Sequence, residues 1–204
     1  MATKTKSNEK RDGRTAAVAV NVAGVEAVAA EKTAINPLFN DAFVHVFGRE
    51  ESKGVTRSLV NSLLREADLG ELGEIDEIHA EYTDVGEVVG CKGSRFDVLI
   101  VADERASLVD LEAQMYPDDV ANRALMYASR IMSTHVKKGT AYGELPRVIV
   151  MTLLDTESMF SRDDAIVSTA GIYWRAGEES RLATDRLQFV LVDLVRARKR
   201  YNRP

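Results

Sequence analysis

Apolar residues recur at helical spacing in three stretches of this chain. They predict amphipathic helices over residues 38–47, over about 52–65 and over 117–136. The third stretch is the longest and has the clearest apolar stripe, and its first residue, Pro117, suits the first turn of a helix. We therefore expect two helices near the start of the folded domain and one in its middle.

Six other stretches have the pattern of β-strands. Residues 95–102 and 147–154 are almost entirely apolar, which is typical of strands buried on both faces. Residues 107–114 alternate instead, with apolar and polar side chains on opposite faces. The remaining strands are predicted over 75–82, 166–175 and 186–194. This order of elements predicts a mixed α/β domain in which helices flank one central β-sheet.

Composition places the chain among globular proteins and suggests the domain boundaries. Of its 204 residues, 45% are hydrophobic and 29% are charged, which are ordinary values for a globular domain. Residues 1–35 are first lysine-rich and then rich in alanine and valine, so we expect a disordered or low-complexity extension there. The domain itself is predicted to span 36–196, followed by a basic tail over 197–204.

The cysteine content and the lengths of the apolar runs limit the compartment. Cys91 has no second cysteine to pair with, so an intramolecular disulfide is excluded and a reducing compartment, the cytoplasm, is predicted. No apolar run approaches the roughly 20 residues that span a bilayer. We therefore expect no association with a membrane.

Positive charge is concentrated at the two ends of the chain. The formal net charge is −5, but residues 1–15 carry +3 and residues 196–204 carry +5, which leaves −13 for the part between them. Basic ends can follow a phosphate backbone, as in proteins that bind nucleic acids. Solvated, disordered termini explain the same pattern, and the charges alone leave both interpretations open.

Two acidic residues face each other across the hairpin that the strands over 95–102 and 107–114 would form. If Glu104 and Arg105 occupy the tip of this hairpin, Asp97 lies directly opposite Glu112. The two carboxylates then repel each other, and burial increases that cost. A divalent metal ion is the natural compensation, because Mg²⁺ prefers oxygen ligands, among them one or two carboxylates.

The same pair has two simpler explanations. A slip of one residue in the strand register would turn one carboxylate to the opposite face of the sheet. The chain also contains 32 acidic residues, so some facing pairs are expected by chance. The hairpin by itself therefore leaves a metal site and an incidental pair as alternatives.

An ordered series of segments around this hairpin resembles a known family. Asp97, followed after fourteen residues by Glu112-Ala113-Gln114, resembles the core motif of the PD-(D/E)XK nuclease superfamily. Within that superfamily, the chain most resembles the Rpn group, the recombination-promoting nucleases and transposases, whose motif ends in Glu-x-Gln as Glu112-Ala113-Gln114 does. The segments that carry the resemblance are residues 36–48, 92–115, 122–155 and 187–196.

The resemblance implies a restriction-endonuclease-like core and Mg²⁺-dependent hydrolysis of DNA, with Mn²⁺ as a substitute metal. Asp97 and Glu112 match the family's metal ligands, and Asp41 matches an acidic residue of its first helix that completes the cluster. Gln114 takes the position of the superfamily's usual lysine; it carries no charge, but it can orient a water molecule by hydrogen bonding. Without the resemblance, Asp41 is explained as a solvated or capping residue on an amphipathic helix.

Cations that could contact DNA are found on the third predicted helix. Three cations recur every seven residues and would therefore share one helix face: Arg123, Arg130 and Lys137. Tyr127 lies on the same face. A solvated polar face is the alternative explanation. Near the hairpin, Lys92 or Arg95 could supply the positive charge that Gln114 lacks, or could be ordinary exposed residues at a strand end.

These observations support three hypotheses of different classes. The first is a metal-dependent DNA endonuclease of the recombination-promoting type, associated with a mobile element, for which a homodimer would suit the cutting of two strands. The second is a catalytically inactive DNA-binding or interaction module with the nuclease fold, suggested by Gln114 and by the acidic body of the chain. The third is a structural protein whose acidic surface binds basic partners.

Overall fold

The computed structural model describes residues 40–84, 94–116, 119–156 and 165–201. The chain divides by contacts into residues 1–35 and 36–204, and all described residues belong to the second part, so the predicted N-terminal extension lies outside them. The α-helices in the described ranges are α1 (Asn40–Phe47), α2 (Lys53–Glu66), α3 (Val120–His135) and α4 (Leu194–Tyr201). None of the helices in these ranges is long and apolar enough to cross a membrane.

A six-stranded mixed sheet forms the centre of the domain, in the order β1-β4-β5-β6-β8-β7. The strands β5, β6 and β8 are parallel to one another, and the other neighbours pair antiparallel. A separate two-stranded sheet joins β2 and β3. The strands are β1 (Ile75–Ala80), β2 (Thr83–Asp84), β3 (Ser94–Arg95), β4 (Val98–Ala102), β5 (Ser107–Gln114), β6 (Arg147–Leu154), β7 (Val167–Ala176) and β8 (Glu179–Asp193). The predicted mixed α/β fold with a restriction-endonuclease-like core is confirmed.

Helices cover both faces of the sheet and create two hydrophobic layers. In the first, which we call the three-helix layer, Phe43 of α1, Leu64 of α2 and the flanking Ala197 of α4 pack on the sheet. In the second, the α3 layer, Ala128 and Ile131 of α3 pack on the opposite face. Successive residues of a strand point to alternate faces, so each central strand contributes to both layers.

The predicted strand over 95–102 is broken in the structure. Its first residue, Arg95, belongs to β3 in the small sheet, and β4 starts only at Val98. Phe96 and Asp97 lie between the two strands, where the backbone N–H of Phe96 donates to the carbonyl of Tyr82. An apolar run cannot reveal such a break, because Phe96 is itself buried.

The end of the chain differs from its prediction in two respects. The strand predicted over 186–194 begins earlier, at Glu179, and ends at Asp193. The predicted basic tail is part of helix α4 up to Tyr201, and its remaining residues lie outside the described ones. The Asp193 carboxylate accepts the backbone N–H of Arg196 and caps α4, while the basic residues of its last turn suit the negative end of the helix dipole.

The prediction that Lys137 shares a helix face with Arg123 is wrong. Helix α3 ends at His135, and Val136 is extended, with φ −88° and ψ 117°. The chain then turns at Gly139, whose φ of +95° lies in the region that favours glycine. Lys137 therefore lies beyond the helix, and the start predicted at Pro117 lies outside the described residues.

Candidate metal centre

The register of the β4–β5 hairpin places Asp97 opposite Glu112, as the sequence predicts. Val98 pairs with Leu111, so the next position along the ladder joins the two acidic residues. Three successive residues of the turn have positive φ, 56° at Asp103, 55° at Glu104 and 69° at Arg105, and the backbone N–H of Ala106 donates to the carbonyl of Asp103. Positive φ at the two central residues is what the favoured two-residue hairpin turns require. The slipped register that would have separated the carboxylates is therefore absent.

The two carboxylates are locked together through the backbone. The backbone N–H of Asp97 donates to Glu112 Oε1 at 2.9 Å, and the backbone N–H of Ala113 donates to Asp97 Oδ2 at 3.0 Å. These bonds stand where ladder bonds between the strands would continue, just beyond the end of β4. Each carboxylate is thereby held in a fixed position by one oxygen.

Burial makes this pair of charges costly. The Glu112 side chain is 6% exposed, and burial, followed by the negative charge of Asp97, raises its pKa to about 7. Burial also raises the pKa of Asp97, against the opposing effects of the Ala113 N–H and of Arg123. At neutral pH the pair therefore has a strong tendency to take up a proton or a cation.

A third carboxylate, Asp110, lies beside the pair and was missed by the sequence analysis. Its side chain is fully buried, and in the ionised state neither oxygen has a hydrogen-bond donor. Burial first, and then the charge of Glu112, raises its pKa well above the ordinary range; once protonated, Asp110 can donate to Glu112. The signal was available, because Asp110 precedes Glu112 by two residues and shares its face of β5.

Arg123 of α3 lies next to the carboxylates. Its Nη2 atom lies 3.6 Å from Glu112 Oε2, and its positive charge lowers the pKa values of both Asp97 and Glu112. Nη2 also donates to the Tyr127 hydroxyl at 3.2 Å, and the guanidinium carbon lies 5.6 Å from the Tyr127 ring centroid. Two residues predicted as general DNA contacts thus lie at the centre itself.

The other predicted site residues in this part of the structure lie on β5, α1 and α3. Gln114 follows Glu112 by two residues on the same face of β5 and is half-buried. Asp41 is exposed on α1 and lines a shallow cavity of about 260 Å³ with Glu81, a cavity whose lining does not include Asp97 or Glu112. Arg130 lies two turns after Arg123 on α3 and is half-buried.

Of the two cations that could supply positive charge near the hairpin, Arg95 and Lys92, the structure describes only Arg95. Arg95 forms an ion pair with Glu81, and its charge also lowers the pKa of Asp97. Lys92 lies outside the described residues. Arg95 is therefore already committed to another carboxylate, whereas Arg123 contacts the pair directly.

The donor set suits a hard divalent cation that needs few protein ligands. Within the described ranges, no three histidine, cysteine or acidic side chains converge in a way that could hold a metal ion. Mg²⁺ commonly binds through one or two carboxylates and completes its shell with waters and substrate phosphates. Asp97 and Glu112 offer that kind of incomplete, negatively charged site.

Comparison with known proteins gives one match. Residues 38–203 match the family model described as PD-(D/E)XK nuclease family transposase. The matched range includes the four α-helices and the two sheets of the described residues. Neither the curated proteins nor the solved structures gave a significant match.

Proposed function

This chain belongs to the PD-(D/E)XK nuclease family of transposases, and on that premise we propose that it is a metal-dependent DNA endonuclease. The reaction is hydrolysis of phosphodiester bonds within DNA strands. The proposed metal is Mg²⁺, with Mn²⁺ as a substitute, and the proposed protein ligands are Asp97 and Glu112. An activity of the recombination-promoting type, associated with a mobile element, is part of the same proposal.

The interlocked pair of Asp97 and Glu112 is the observation that carries this proposal. Two facing carboxylates, one of them almost fully buried, destabilise a fold unless an opposite charge compensates them. Arg123 supplies only one positive charge, at 3.6 Å from Glu112, against the two carboxylates. The uncompensated negative charge supports a divalent cation as the missing partner.

The ligand atoms are those that the backbone bonds leave available. Asp97 and Glu112 each use one oxygen to accept a backbone N–H, so Asp97 Oδ1 and Glu112 Oε2 can bind the metal. When bound, a divalent metal lowers the pKa of a water molecule and stabilises negative charge on a phosphate. Gln114, on the same face of β5, is the residue that would orient a water molecule through its side-chain amide when a metal is bound.

Asp110 supports the ligands from within the sheet. In its protonated form it donates a hydrogen bond to Glu112, which lowers the pKa of Glu112 and favours the ionised carboxylate. An ionised carboxylate is the form that binds a metal. Asp110 therefore helps to keep Glu112 ready as a ligand near neutral pH.

The proposal is tested by incubating supercoiled plasmid with the purified protein in Mg²⁺, Mn²⁺ or EDTA. We expect metal-dependent nicking or linearisation, and a loss of about 10³-fold or more in Asp97→Ala and Glu112→Ala, because both ligands belong to one centre. Asp185→Ala, which removes an acid that is 70% exposed on β8, is the matched control and should cut like the wild type. Cleavage that persists in EDTA would contradict the metal mechanism.

A catalytically inactive module with the same fold is the second candidate, and Gln114 is the observation that favours it. An amide can hydrogen-bond to water, but it can neither carry a positive charge nor exchange a proton as a lysine can. If the folded wild-type protein binds DNA but cuts plasmid in neither Mg²⁺ nor Mn²⁺, the inactive module replaces the nuclease proposal. Restored cutting in Gln114→Lys would then identify this residue as the cause.

A further inference from the structure

We propose that Arg123 is a catalytic residue that binds the phosphate to be cleaved, and that its guanidinium serves as the counterion of Glu112 when no DNA is bound. This inference rests on the proposed nuclease function. It assigns Arg123 to the reacting centre, whereas the sequence suggests only membership of a general DNA-contacting helix face.

The position of Arg123 fits a group that contacts both the centre and an incoming ligand. Its Nη2 lies 3.6 Å from Glu112 Oε2, the oxygen that no backbone bond occupies. Its side chain is nevertheless 46% exposed, whereas that of Glu112 is 6% exposed. The guanidinium therefore lies between the buried carboxylates and the solvent from which DNA approaches.

The contact with Glu112 is loose enough to be exchanged. A separation of 3.6 Å exceeds the usual range of a charge-assisted hydrogen bond, which is about 2.7–2.9 Å. The bond to the Tyr127 hydroxyl uses only part of the guanidinium's donor capacity. The planar fork of an arginine matches two oxygens of a phosphate, so Arg123 can bind a phosphate without leaving Tyr127.

Charge at the centre makes such a cation necessary. Asp97 and Glu112 repel an approaching phosphate, and Gln114 on the same face is neutral. Arg95 acts on Asp97 but is paired with Glu81. Arg123 is thus the described cation that is best placed to attract the phosphate and to stabilise the charge that develops on it.

Aromatic packing fixes the guanidinium in this position. The ring centroids of Tyr127 and Phe96 are 5.0 Å apart, and those of Phe96 and Tyr82 are 5.9 Å apart. Phe96 immediately precedes Asp97 in the chain, so the same packing holds a metal-ligand candidate and the arginine. Preorganisation of this kind reduces the reorganisation that a charged group needs during a reaction.

The first test measures DNA binding without cleavage. A fluorescein-labelled duplex is titrated with protein in Ca²⁺ at several salt concentrations, and binding is followed by fluorescence anisotropy. Arg123→Ala should bind about tenfold more weakly, because it lacks a charge-assisted phosphate contact, and its salt slope should fall by about one. Arg175→Ala, which removes the same side chain from the exposed distal part of β7, is the control and should bind like the wild type.

The second test separates metal binding from the reaction. Calorimetry with Mn²⁺ alone should give Arg123→Ala an affinity equal to or higher than that of the wild type, because a competing cation has been removed from Glu112. Plasmid cleavage by the same variant should fall by about 10²–10³-fold, with partial recovery in Arg123→Lys.

The outcomes distinguish this inference from the proposed function. Wild-type DNA affinity and salt slope in Arg123→Ala would overturn the phosphate contact, whether or not the protein cuts DNA. Parallel loss of Mn²⁺ binding and cleavage would also overturn it, because Arg123 would then build the carboxylate centre. If the wild type and Arg175→Ala cut no plasmid, the nuclease proposal fails, and the anisotropy result still decides whether Arg123 binds phosphate.

Discussion

The two faces of β5 are equally buried and chemically opposite. Towards the three-helix layer the strand presents Val109 and Leu111, both fully buried. Towards the α3 layer it presents the buried Leu108 and then Asp110 and Glu112, which are 0% and 5% exposed. The same backbone, in the same sheet, thus supports an apolar core on one side and a cluster of carboxylates on the other.

The two faces contribute differently to stability, because one buries apolar side chains and the other buries carboxylates. Buried apolar side chains stabilise a domain through the area that they remove from water. Buried carboxylates cost free energy, and apolar residues of similar size in their place often make a protein more stable. The apolar side chains of both layers therefore account for stability, and the carboxylates that face α3 are better explained by chemistry.

The largest effect on stability is expected in the apolar layer. Leu111→Ala leaves a cavity in the three-helix layer and should lower the free energy of unfolding by about 2–5 kcal/mol in urea titrations. Glu112→Gln, next to it on the opposite face, is the matched variant and should not be less stable than the wild type. Equal destabilisation by both variants would contradict the division between the two layers.

The second prediction concerns the pH dependence of the metal-free protein. Folding raises the pKa of Glu112 from 4.5 to about 7, so the folded state binds the proton more tightly than the unfolded state. The resulting stability is greatest below pH 4.5 and is lost as the pH rises to about 7, a decrease on the order of 3 kcal/mol.

Urea titrations of the wild type and Glu112→Gln between pH 4.5 and 8 test this dependence. The variant lacks the titrating group, so the difference between the two proteins isolates its contribution. The wild type should lose stability relative to the variant as the pH rises. A relative gain of the wild type with rising pH would contradict the raised pKa.

The third prediction is a gain in stability in Asp110→Val, smaller than the two effects above. The valine suits a strand and removes a buried carboxyl group whose oxygens have no donor in the ionised state. The free energy of unfolding of the metal-free protein at pH 7 should rise by about 1–3 kcal/mol. A marked loss of stability would show instead that Asp110 has a structural role in the sheet.

The smallest effect is expected at an ion pair on the three-helix side. Arg198 of α4 pairs with Asp155, just after β6; the arginine side chain is 54% exposed and the aspartate side chain is 10% exposed. Arg198→Ala should lower the free energy of unfolding by about 1 kcal/mol, because solvent screens the arginine although its partner is mostly buried. A larger loss in urea titrations would mean that this pair, rather than apolar packing, holds α4 on the sheet.

Local patterns predicted the hairpin correctly because its determinants are local. The turn at Glu104 and Arg105 fixes the register, and the register in turn places Asp97 opposite Glu112. Alternation also identified the polar face of β5. It did not reveal that α3 covers this face, which is why Asp110 was not recognised as part of the cluster.

Features that depend on distant partners were not predicted. The first part of β8 pairs only with β7, and most of its side chains are exposed, so it lacks the alternation of a half-buried strand. The approach of Arg123 to Glu112 depends on how α3 crosses the sheet, which no spacing in the sequence encodes. The roles of Asp41 and Gln114 stay predictions.

Calorimetric titration with Mn²⁺ tests most directly whether the carboxylates of the α3 layer form a metal centre. The wild-type protein should bind the metal, and Asp97→Asn and Glu112→Gln, which change the charge but little of the shape, should each lose that binding while remaining folded. The Asp185→Asn control should bind like the wild type. Unchanged Mn²⁺ affinity in both carboxylate variants, or no binding by the folded wild type, would contradict the account.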